Sequence, residues 1–588
     1  MAGELSRSAT IEPVRCAVRC KRFMAILKTE SAGPVQVSRG AFAPLSYPIF
    51  RAILIVTFTS NIGTWIQDVG ASWLMTSLAP SPLMVSLIQT AGNLPYFLLG
   101  LLAGTLADIT DKRRLLLISQ LWMLASVGTL GVLTIFHLTT PWILLGLTFS
   151  VGVGSVLGAP AWQAVVPELI PREEILDAVA MNGVQFNVAR GMGPVIGGII
   201  VTAWGAGVAF LANAASFVGV IGVLLSWRRT QRKSMLPAER IYGGIRAGAR
   251  YVRYSPVLNA VLVRSFLFGL GASAMWAVLP LAARVEFHVD ATGYGLIVAF
   301  FGIGAAACGF GLSVLKRLIP TDWLAMSGGL AFAIANVSVA AAHQVYLLWL
   351  ATFLAGAGWV ATTAMYNSSA QMALPAWVRA RALSLYLLAL QGGLAVGSLG
   401  WGYLATRVGI RNALDASALF MAVGMLTAMR FSLSGAERFD PEPWVIQGIP
   451  HLGEGPAMEQ GPVMVYLEFR IEPARAAEFE LAMRALEPIR RRDGAVMWSF
   501  FSDIADPRRY VEAYMVETWG EHVRQHYRGT SSDSAAWQRV CSFHLGPERP
   551  IVSHLVAPAA HSRLTVEVTK VAETTGRFAS DDPRLKEK

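Results

Sequence analysis

Long apolar stretches separated by short polar ones fill the chain between residues 50 and 431. A helix that crosses a bilayer needs about 20 mostly apolar residues. Segments of that length lie at 50–78, 82–107, 115–136, 142–165, 176–203, 207–227, 258–282, 291–315, 322–342, 346–373, 380–405 and 412–431. The pattern predicts an all-α polytopic membrane protein with twelve transmembrane helices, which we number spans 1 to 12.

The polar loops between the spans differ strongly in charge. Loops after even-numbered spans carry sixteen Lys and Arg residues, whereas loops after odd-numbered spans carry three, Arg284, Arg407 and Arg411. Because basic loops stay in the cytoplasm, we expect the even-numbered loops and both termini to be cytoplasmic. The protein is then expected in the inner (cytoplasmic) cell membrane, with the lipid bilayer around its spans.

The same pattern divides the chain into seven parts. We expect a cytoplasmic N-terminal tail, an N-terminal six-helix bundle, a cytoplasmic linker loop, a C-terminal six-helix bundle, a second linker, a soluble domain and a disordered tail. Their ranges are 1–46, 47–227, 228–256, 257–434, 435–460, 461–556 and 557–588. Gln163 and Pro167 at the end of span 4 recur as Gln371 and Pro375 at the end of span 10, as parallel repeat halves would require.

The composition agrees with a membrane protein and excludes most soluble enzymes. Hydrophobic residues make up 54% of the chain and charged residues 15%, whereas soluble proteins carry about 25% charged residues. The net charge of +11 is explained by the basic loops, so no nucleic-acid partner is expected. The four cysteines are scattered and imply no disulfide framework. A nucleotide-binding G-x-x-x-x-G-K-[ST] motif is missing, so an ion gradient rather than ATP is the expected energy source.

A charged motif follows span 2 and matches a G-x-L-x-D-R-x-G-R-K signature at Gly104, Leu106, Asp108, Lys112 and Arg113. With the twelve spans and their six-plus-six division, this motif makes the chain resemble the major facilitator superfamily. The resemblance implies alternating access, with Gly104, Asp108, Lys112 and Arg113 forming a gate latch. The motif departs from the signature at two positions, Ile109 and Asp111, and its basic residues alone could serve only to set topology.

Span 5 contains Gly193, Pro194, Gly197 and Gly198, which are similar to the core of the antiporter motif of exporters in that superfamily. The resemblance implies a gating hinge and a seal against proton leak, and the alternative is generic packing of small residues. Within the superfamily, the chain resembles the enterobactin-exporter-like group, also called transmembrane secretion effectors. The stretches that carry this likeness are 61–68, 158–163, 166–172 and 186–190.

Span 1 carries a polar stripe close to one helical face, made of Thr57, Asn61, Trp65, Asp68 and Ser72. A charged Asp at mid-bilayer depth costs about 2.5–3.5 kcal/mol on insertion scales, so its carboxyl group should face protein or water. Asp68 is therefore the candidate proton-coupling acid. The alternative is an acid near the outer interface that makes a structural hydrogen bond.

Further polar and aromatic side chains in the spans are candidates for a substrate cavity. Arg190 is an intramembrane base that could pair with Asp68 or with an anionic substrate group, whereas Arg264 could instead reach the cytoplasmic interface. Aromatic residues in the spans could stack on a substrate or serve as packing and interface anchors. The candidate cavity residues are Asn61, Trp65, Gln67, Asn187, Arg190, Arg264, Trp276, Tyr366, Asn367 and Gln391.

Residues 461–556 read as a soluble α+β domain. Val463, Val465, Leu467, Phe469 and Ile471 alternate with polar or mixed residues and predict a half-buried strand. The predicted β-α-β-β-α-β order resembles a ferredoxin-like domain of the antibiotic-biosynthesis-monooxygenase type. That resemblance implies a homodimer formed through this domain.

Four histidines of this domain could bear on chemistry. His522 and His526 have an i, i+4 spacing that suits a metal, and His544 and His554 follow later. Because the sequence supplies no reliable third ligand, we expect no metal, no cofactor and no catalytic residues.

These observations favour a secondary active transporter rather than an enzyme. The first hypothesis is proton-coupled export of a small metabolite, siderophore or drug by alternating access, so that the partners are a small-molecule substrate and protons. The alternatives are an importer or facilitator on the same fold, a bifunctional transporter with an oxidative C-terminal domain, and a transport-dead receptor.

Overall fold

A computed structural model of the chain describes residues 42–171, 174–227, 241–375, 377–435, 439–440, 442, 444, 458–546 and 549–558. Most of the expected tails and linkers, with Arg172, lie outside the described residues. So does the side chain of Asp108 in the predicted latch.

Twelve helices of the described part are long and apolar enough to cross a membrane. They confirm the predicted all-α polytopic fold. Six form the N-terminal half: α1 (Pro48–Leu78), α2 (Pro82–Ile109), α3 (Lys112–Ile135), α4 (Pro141–Leu169), α5 (Ile175–Trp204) and α6 (Ala206–Ser226). Between the halves lies α7 (Ile241–Tyr254). Six form the C-terminal half: α8 (Pro256–Val285), α9 (Ala291–Leu318), α10 (Thr321–Ala341), α11 (Val345–Met372), α12 (Arg379–Val408) and α13 (Ile410–Met425).

Local sequence explains where these helices begin and end. Several start with a proline in the first turn, such as Pro48 of α1, where the missing N–H is not needed. The Asp111 side chain accepts a hydrogen bond from the Arg114 N–H at 2.9 Å and caps α3. Gly205 has a φ of +85°, which lets the chain turn sharply from α5 into α6.

The two halves meet along two pairs of helices, α5 against α9 and α2 against α12. The C-terminal half has one continuous apolar core, and the N-terminal half has separate clusters toward each end of its helices. Any central site must therefore be built from α1, α2 and α5 on one side and from α8, α9, α11 and α12 on the other.

The soluble domain contains β1 (Val463–Arg470), α14 (Ala476–Asp493), β2 (Met497–Ser502), β3 (Arg509–Val516), α15 (Trp519–Arg528), α16 (Ser531–Cys541) and β4 (Ile551–Val556). Its strands are antiparallel in the order β2-β3-β1-β4. This is the ferredoxin-like order, and alternate residues of β1 enter the core as the sequence predicted. A buried pair joins Arg490 and Glu512 at 2.9 and 3.2 Å.

The soluble domain packs on one end of the membrane helices. Arg250 of α7 donates to Glu521 at 2.8 Å and to the Arg492 carbonyl at 3.2 Å, and Arg246 pairs with Glu517. The Arg528 guanidinium lies 4.6 Å from the ring of Trp377 in the α11–α12 loop. We call this end, which bears α7 and the soluble domain, the domain side, and the opposite end the far side.

Candidate functional site

The central feature of the membrane part is a buried arginine enclosed by aromatic rings. Arg190 of α5 is 8% exposed, and its guanidinium lies 4.6 Å from the ring of Phe301, 5.5 Å from Trp65 and 5.9 Å from Trp359. Among the described residues it has no counterion, and its Nε has no hydrogen-bond partner. We call Arg190 with these three rings the arginine cage. Because the rings come from α1, α9 and α11, the cage joins both halves.

Trp276 extends the aromatic wall of the cage. Its ring packs edge-on against Phe301 with ring centres 4.7 Å apart. Cation–π contacts attract the guanidinium electrostatically, yet they do not neutralise its charge. The cage therefore suits an anionic group on a planar or aromatic molecule.

Asp68 lies one turn from the cage toward the far side, since Trp65 and Asp68 are three residues apart on α1. The residue is exposed. The Tyr294 hydroxyl of α9 lies near Ser72 and Asp68. Asp68 and Arg190 form no ion pair in the described structure. The polar stripe of α1 thus faces the opposite half at Asp68 and Ser72.

The glycines of the span 5 motif let α5 fit tightly between two helices. A Cβ at Gly193 would press on Trp65, and one at Gly197 would lie 2.9 Å from the Ile66 Cα of α1. A Cβ at Gly198 would collide with the Ala291 carbonyl of α9. The small residues therefore fix α5 to α1 within its own half and to α9 across the interface.

Polar contacts join the halves at the far side. Arg284 of α8 donates to Thr76 of α1 at 3.0 Å and to Ser77. The Thr292 N–H of α9 donates to the Thr202 hydroxyl of α5 at 3.1 Å, and the two hydroxyls lie 2.9 Å apart. The far side is closed in this conformation.

A second polar line joins α2 to α12. Gln391 donates to the Asn93 side-chain oxygen at 3.0 Å, and the Thr90 hydroxyl donates to the Ala395 carbonyl at 3.1 Å. Gln391 therefore does lie at the interface between the halves. Asn93, which the sequence analysis missed, is its partner.

Toward the domain side, α5 and α9 separate. Gly302 packs directly on the Arg190 carbonyl, whereas a Cβ at Gly183 of α5 or at Gly309 of α9 would meet no atom within 4 Å. Asn61 and Asn187 are half-buried in this region, and the Asn187 amide donates to the Gly183 carbonyl at 2.9 Å.

Some predicted cavity residues lie elsewhere in the structure. Gln67 is buried within the N-terminal half, where it accepts a hydrogen bond from Asn213 of α6 at 2.5 Å. Arg264 pairs with Asp322 of α10 and also donates to the Phe431 carbonyl at 3.3 Å.

Two more predicted cavity residues lie in α11, within the C-terminal half. The ring of Tyr366 lies 5.6 Å from the Arg264 guanidinium. Asn367 is exposed and accepts a bond from Gln371 of its own helix at 3.0 Å.

The predicted latch residues have partial roles in this conformation. Arg113 donates to the Leu224 and Leu225 carbonyls at 2.7 Å each and so holds the C-terminal end of α6. Lys112 begins α3, and a Cβ at Gly104 would lie 3.5 Å from the Ser384 hydroxyl of α12. The Arg113 contacts therefore lie within one half, whereas Gly104 faces the other half.

Sequence reasoning missed the residues that complete the cage and the far-side contacts: Phe301, Trp359, Tyr294 and Thr292. In the sequence, Phe301 and Trp359 are two of many aromatic residues in the spans. Only the fold brings them to Arg190.

The soluble domain encloses a cavity of about 680 Å³ between its sheet and its helices. His522, His526 and His554 line it, and their candidate donor atoms all lie within 4.8 Å of one another. Burial, together with the neighbouring His526 and His554, lowers the pKa of His522 to about 3. His544 is engaged differently, because its Nδ1 accepts the Arg470 N–H at 3.0 Å.

A model of the family described as "Transmembrane secretion effector" matches residues 39–563, which include the whole soluble domain. A staphyloferrin A transporter of Staphylococcus aureus is 24% identical over 312 residues, 52% of this chain and 78% of that protein. The multidrug efflux pump Tap of Mycolicibacterium fortuitum is 25% identical over 345 residues, 57% and 83% of the two chains. The enterobactin exporter EntS of Citrobacter koseri is 26% identical over 269 residues, which are 44% of this chain and 62% of that protein.

Solved structures share the fold of the membrane part. An inward-facing, unoccupied bacterial homologue of the human lysosomal transporter spinster has a TM-score of 0.53 and 13% identity, and the match covers 68% of this chain and 98% of that one. The nucleoside transporter NupG has a TM-score of 0.52 and 11% identity over 65% and 98% of the two chains. At such identities the likeness concerns the fold alone.

Proposed function

The chain belongs to the transmembrane secretion effector family of major facilitator transporters, and from this premise we propose that it exports a small organic anion in exchange for protons. It is a multi-pass membrane protein and a secondary transporter, as its family and relatives are. The proposal adds direction, coupling and substrate class. Export is supported by two relatives whose names are enterobactin exporter and multidrug efflux pump.

The arginine cage is the observation that carries the substrate class. A buried guanidinium without a counterion is unfavourable in a low-dielectric site. An anionic substrate would neutralise Arg190, and its planar or aromatic part would pack on Trp65, Phe301 and Trp359. Siderophores, drugs and metabolites that carry a carboxylate or a phenolate fit this description.

Asp68 is the proposed proton carrier. It is the acid of the α1 stripe, it lies one turn from the cage, and Tyr294 of the opposite half lies near it. Protonation of Asp68 would remove a negative charge near Tyr294 and would thereby alter the contact between α1 and α9. Proton binding and far-side closure are coupled in this scheme.

The proposed cycle rocks the two halves around the cage. With the far side closed and α5 and α9 separated toward the domain side, a substrate would enter from the domain side. The basic loops favour a cytoplasmic position for that side and for both termini. Entry from the cytoplasm is the direction that export requires.

The test is efflux from cells that express the full chain, using a panel of fluorescent drugs and catecholate siderophores with and without a protonophore. We expect protonophore-sensitive efflux of at least one anionic member. Asp68→Asn should abolish it at unchanged expression, while Asp415→Asn, at the exposed start of α13, should leave it intact. Wild-type efflux by Asp68→Asn would remove Asp68 from the mechanism.

Direction separates the proposal from an importer or facilitator. In vesicles of known orientation, an imposed proton gradient should drive the substrate against its own gradient, toward the face opposite the soluble domain. Net movement the other way, or flux that only follows the substrate gradient, would contradict export.

For the soluble domain we propose a ligand-binding module that pairs with a second copy, in line with its likeness to the antibiotic-biosynthesis-monooxygenase type. The cavity of about 680 Å³ supports ligand binding, and the exposed Ile551 and Leu555 of the edge strand β4 support pairing. Light scattering of the purified full chain tests the dimer. Oxygen uptake with quinol-like substrates would instead favour an oxidative role.

A further inference from the structure

The cavity of the soluble domain contains a cluster of histidines that transport does not require. Its wall includes His522 and His526 of α15 and His554 of β4. The i, i+4 spacing places the first two rings one turn apart on one helix face. Their Nε2 atoms lie 3.2 Å apart, and the His522 and His554 ring centres lie 4.7 Å apart. The fold thus supplies the third imidazole that the sequence could not.

We propose that His522, His526 and His554 bind a divalent transition-metal ion, with zinc as the best fit, in the wall of this cavity. Zinc–nitrogen bonds of about 2.0–2.1 Å in a tetrahedral site put ligand nitrogens roughly 3.3 Å apart. The Nε2 atoms of His522 and His526 are 3.2 Å apart, which is close to that spacing. His554 lies within 4.8 Å and needs only a small side-chain rotation to complete the triangle.

The donor set determines the class of metal. Three imidazoles suit zinc, copper, nickel or cobalt and do not suit calcium or magnesium, which prefer oxygen. Three protein ligands leave at least one coordination position for water or another molecule. Because all three histidines line the cavity, that position would face it, and a molecule in the cavity could bind the metal directly through an oxygen or nitrogen atom.

Neighbouring side chains fit a supporting role. Gln525 lines the same cavity, is 4% exposed, and neither polar atom of its amide has a hydrogen-bond partner in the described part of the chain. The Nδ1 of His522 is also buried without a partner there. With a metal on the other ring nitrogen, a Gln525 carbonyl turned toward His522 would accept its Nδ1 hydrogen, as second-shell groups of metal sites commonly do. Trp519 packs on His522 and His554 and shields the site.

The arrangement differs from an ordinary buried histidine pair. One hydrogen bond between two Nε2 atoms accounts for a single pair of rings. The third ring, whose Nε2 is also buried without a partner in the described part of the chain, is explained by a ligand and is not explained by that bond. A metal at these rings would bind whichever way the transporter moves its substrate.

The test uses the full chain, purified in detergent through a tag without histidine and treated with a chelator. Zinc is then titrated against a fluorescent zinc indicator, and cobalt is added to a second sample to record its visible spectrum. We expect one tight zinc site per chain and the intense visible bands of four-coordinate cobalt with imidazole ligands.

Variants separate this site from the other histidines of the chain. His554→Ala on the edge strand and His526→Ala should each weaken zinc binding by more than about 100-fold, because even second-shell changes cost 10–100-fold. His544→Ala lines the same cavity and is the matched control, with zinc affinity expected unchanged. Thermal unfolding without zinc checks that each variant folds.

Two outcomes would overturn the proposal. The first is the absence of a tight zinc site in a folded wild-type chain, which would leave the three rings as a hydrogen-bonded cluster. The second is equal zinc affinity in the wild type, His526→Ala and His554→Ala, which would place any bound zinc elsewhere. A rise of the unfolding temperature with zinc that both variants lose would support the site independently.

Discussion

Closure of the far side depends on how closely α5 and α9 approach, and Gly302 tests that dependence. A Cβ at Gly302 would lie 2.8 Å from the Arg190 carbonyl oxygen and 2.8 Å from the Gly191 Cα. Both are backbone atoms of the opposite half, so they cannot rotate away as the end of a flexible side chain would. Gly302→Ala must therefore push the halves apart where they meet at the cage.

The magnitude follows from the packing. Inserting a methyl group into a tight contact destabilises it by about 1–3 kcal/mol. In the proposed cycle the halves separate at Gly302 when the far side opens, so the penalty shifts the equilibrium away from the closed state by about 5–150-fold. Starting from equal populations, a penalty of about 2 kcal/mol would leave roughly 3% of molecules closed at the far side.

Cross-linking measures this population. The Thr202 and Thr292 hydroxyls are 2.9 Å apart, so Thr202→Cys with Thr292→Cys should form a disulfide when the far side is closed. The native cysteines are first replaced by serine. From equal populations, the initial rate of oxidation should fall at least about 3-fold, and about 15-fold for a penalty of about 2 kcal/mol, when Gly302→Ala is added.

Gly309→Ala is the matched control on the same helix. Its new Cβ would meet no atom within 4 Å, so the oxidation rate should stay the same. An unchanged rate in folded Gly302→Ala protein would refute the steric reasoning. An equal fall in Gly309→Ala would assign the effect to α9 in general rather than to the contact.

Two further predictions concern single side chains. Arg190→Gln should reduce transport of an anionic substrate at least about 10-fold. Arg190→Lys should reduce it by less, since an ammonium keeps the charge but loses the planar contact with the rings. Wild-type transport kinetics in Arg190→Gln would contradict the role of the cage in substrate binding. Arg250→Glu should place two like charges at the contact with Glu521 and speed the hydrogen exchange of α7 amides. Arg253→Glu, at an exposed position of the same helix, should leave that exchange rate unchanged. Equal exchange in both variants would mean that the Arg250–Glu521 ion pair does not hold the soluble domain against α7.

The sequence was sufficient for the spans and for the order of the soluble domain because both are local properties. Hydropathy over about 20 residues marks a span wherever it packs. Alternation in β1 and the helical face of α14 likewise need no knowledge of their partners. These elements could therefore be predicted to within a few residues.

The roles of the candidate site residues depend on their neighbours in space, and the sequence did not predict those neighbours. Gln67 is adjacent to Asp68 on α1, yet it turns into its own half and binds Asn213. Arg264 has the composition of a substrate-binding residue, but it pairs with Asp322 of α10. In both cases a partner far along the chain decided the role.

The cluster of His522, His526 and His554 could not be predicted from the sequence for the same reason. The i, i+4 pair on α15 is visible in the sequence, but the third ring belongs to β4, and only the antiparallel pairing of β4 with β1 brings it across. His544 was an equal candidate until its bond to the Arg470 N–H was known.

The chemistry of the interface between the halves agrees with a transporter that must open and close. Within each half, large apolar side chains pack into cores whose disruption exposes them to lipid or water. Between the halves, the polar contacts are individual hydrogen bonds, such as those of Thr292 with Thr202 at the far side and of Gln391 with Asn93 between α2 and α12. Each contributes only about 0.5–1.5 kcal/mol net, because water can replace the partner.

Glycine contacts add to the attraction between the halves. Close backbone approach at Gly198 and Gly302 gives many weak dispersion contacts. At these two glycines the surfaces can separate without a change of rotamer in a large side chain. Each half has a well-packed apolar core, whereas the interface is held by weak hydrogen bonds and close glycine contacts. The halves can therefore move as rigid bodies around the arginine cage.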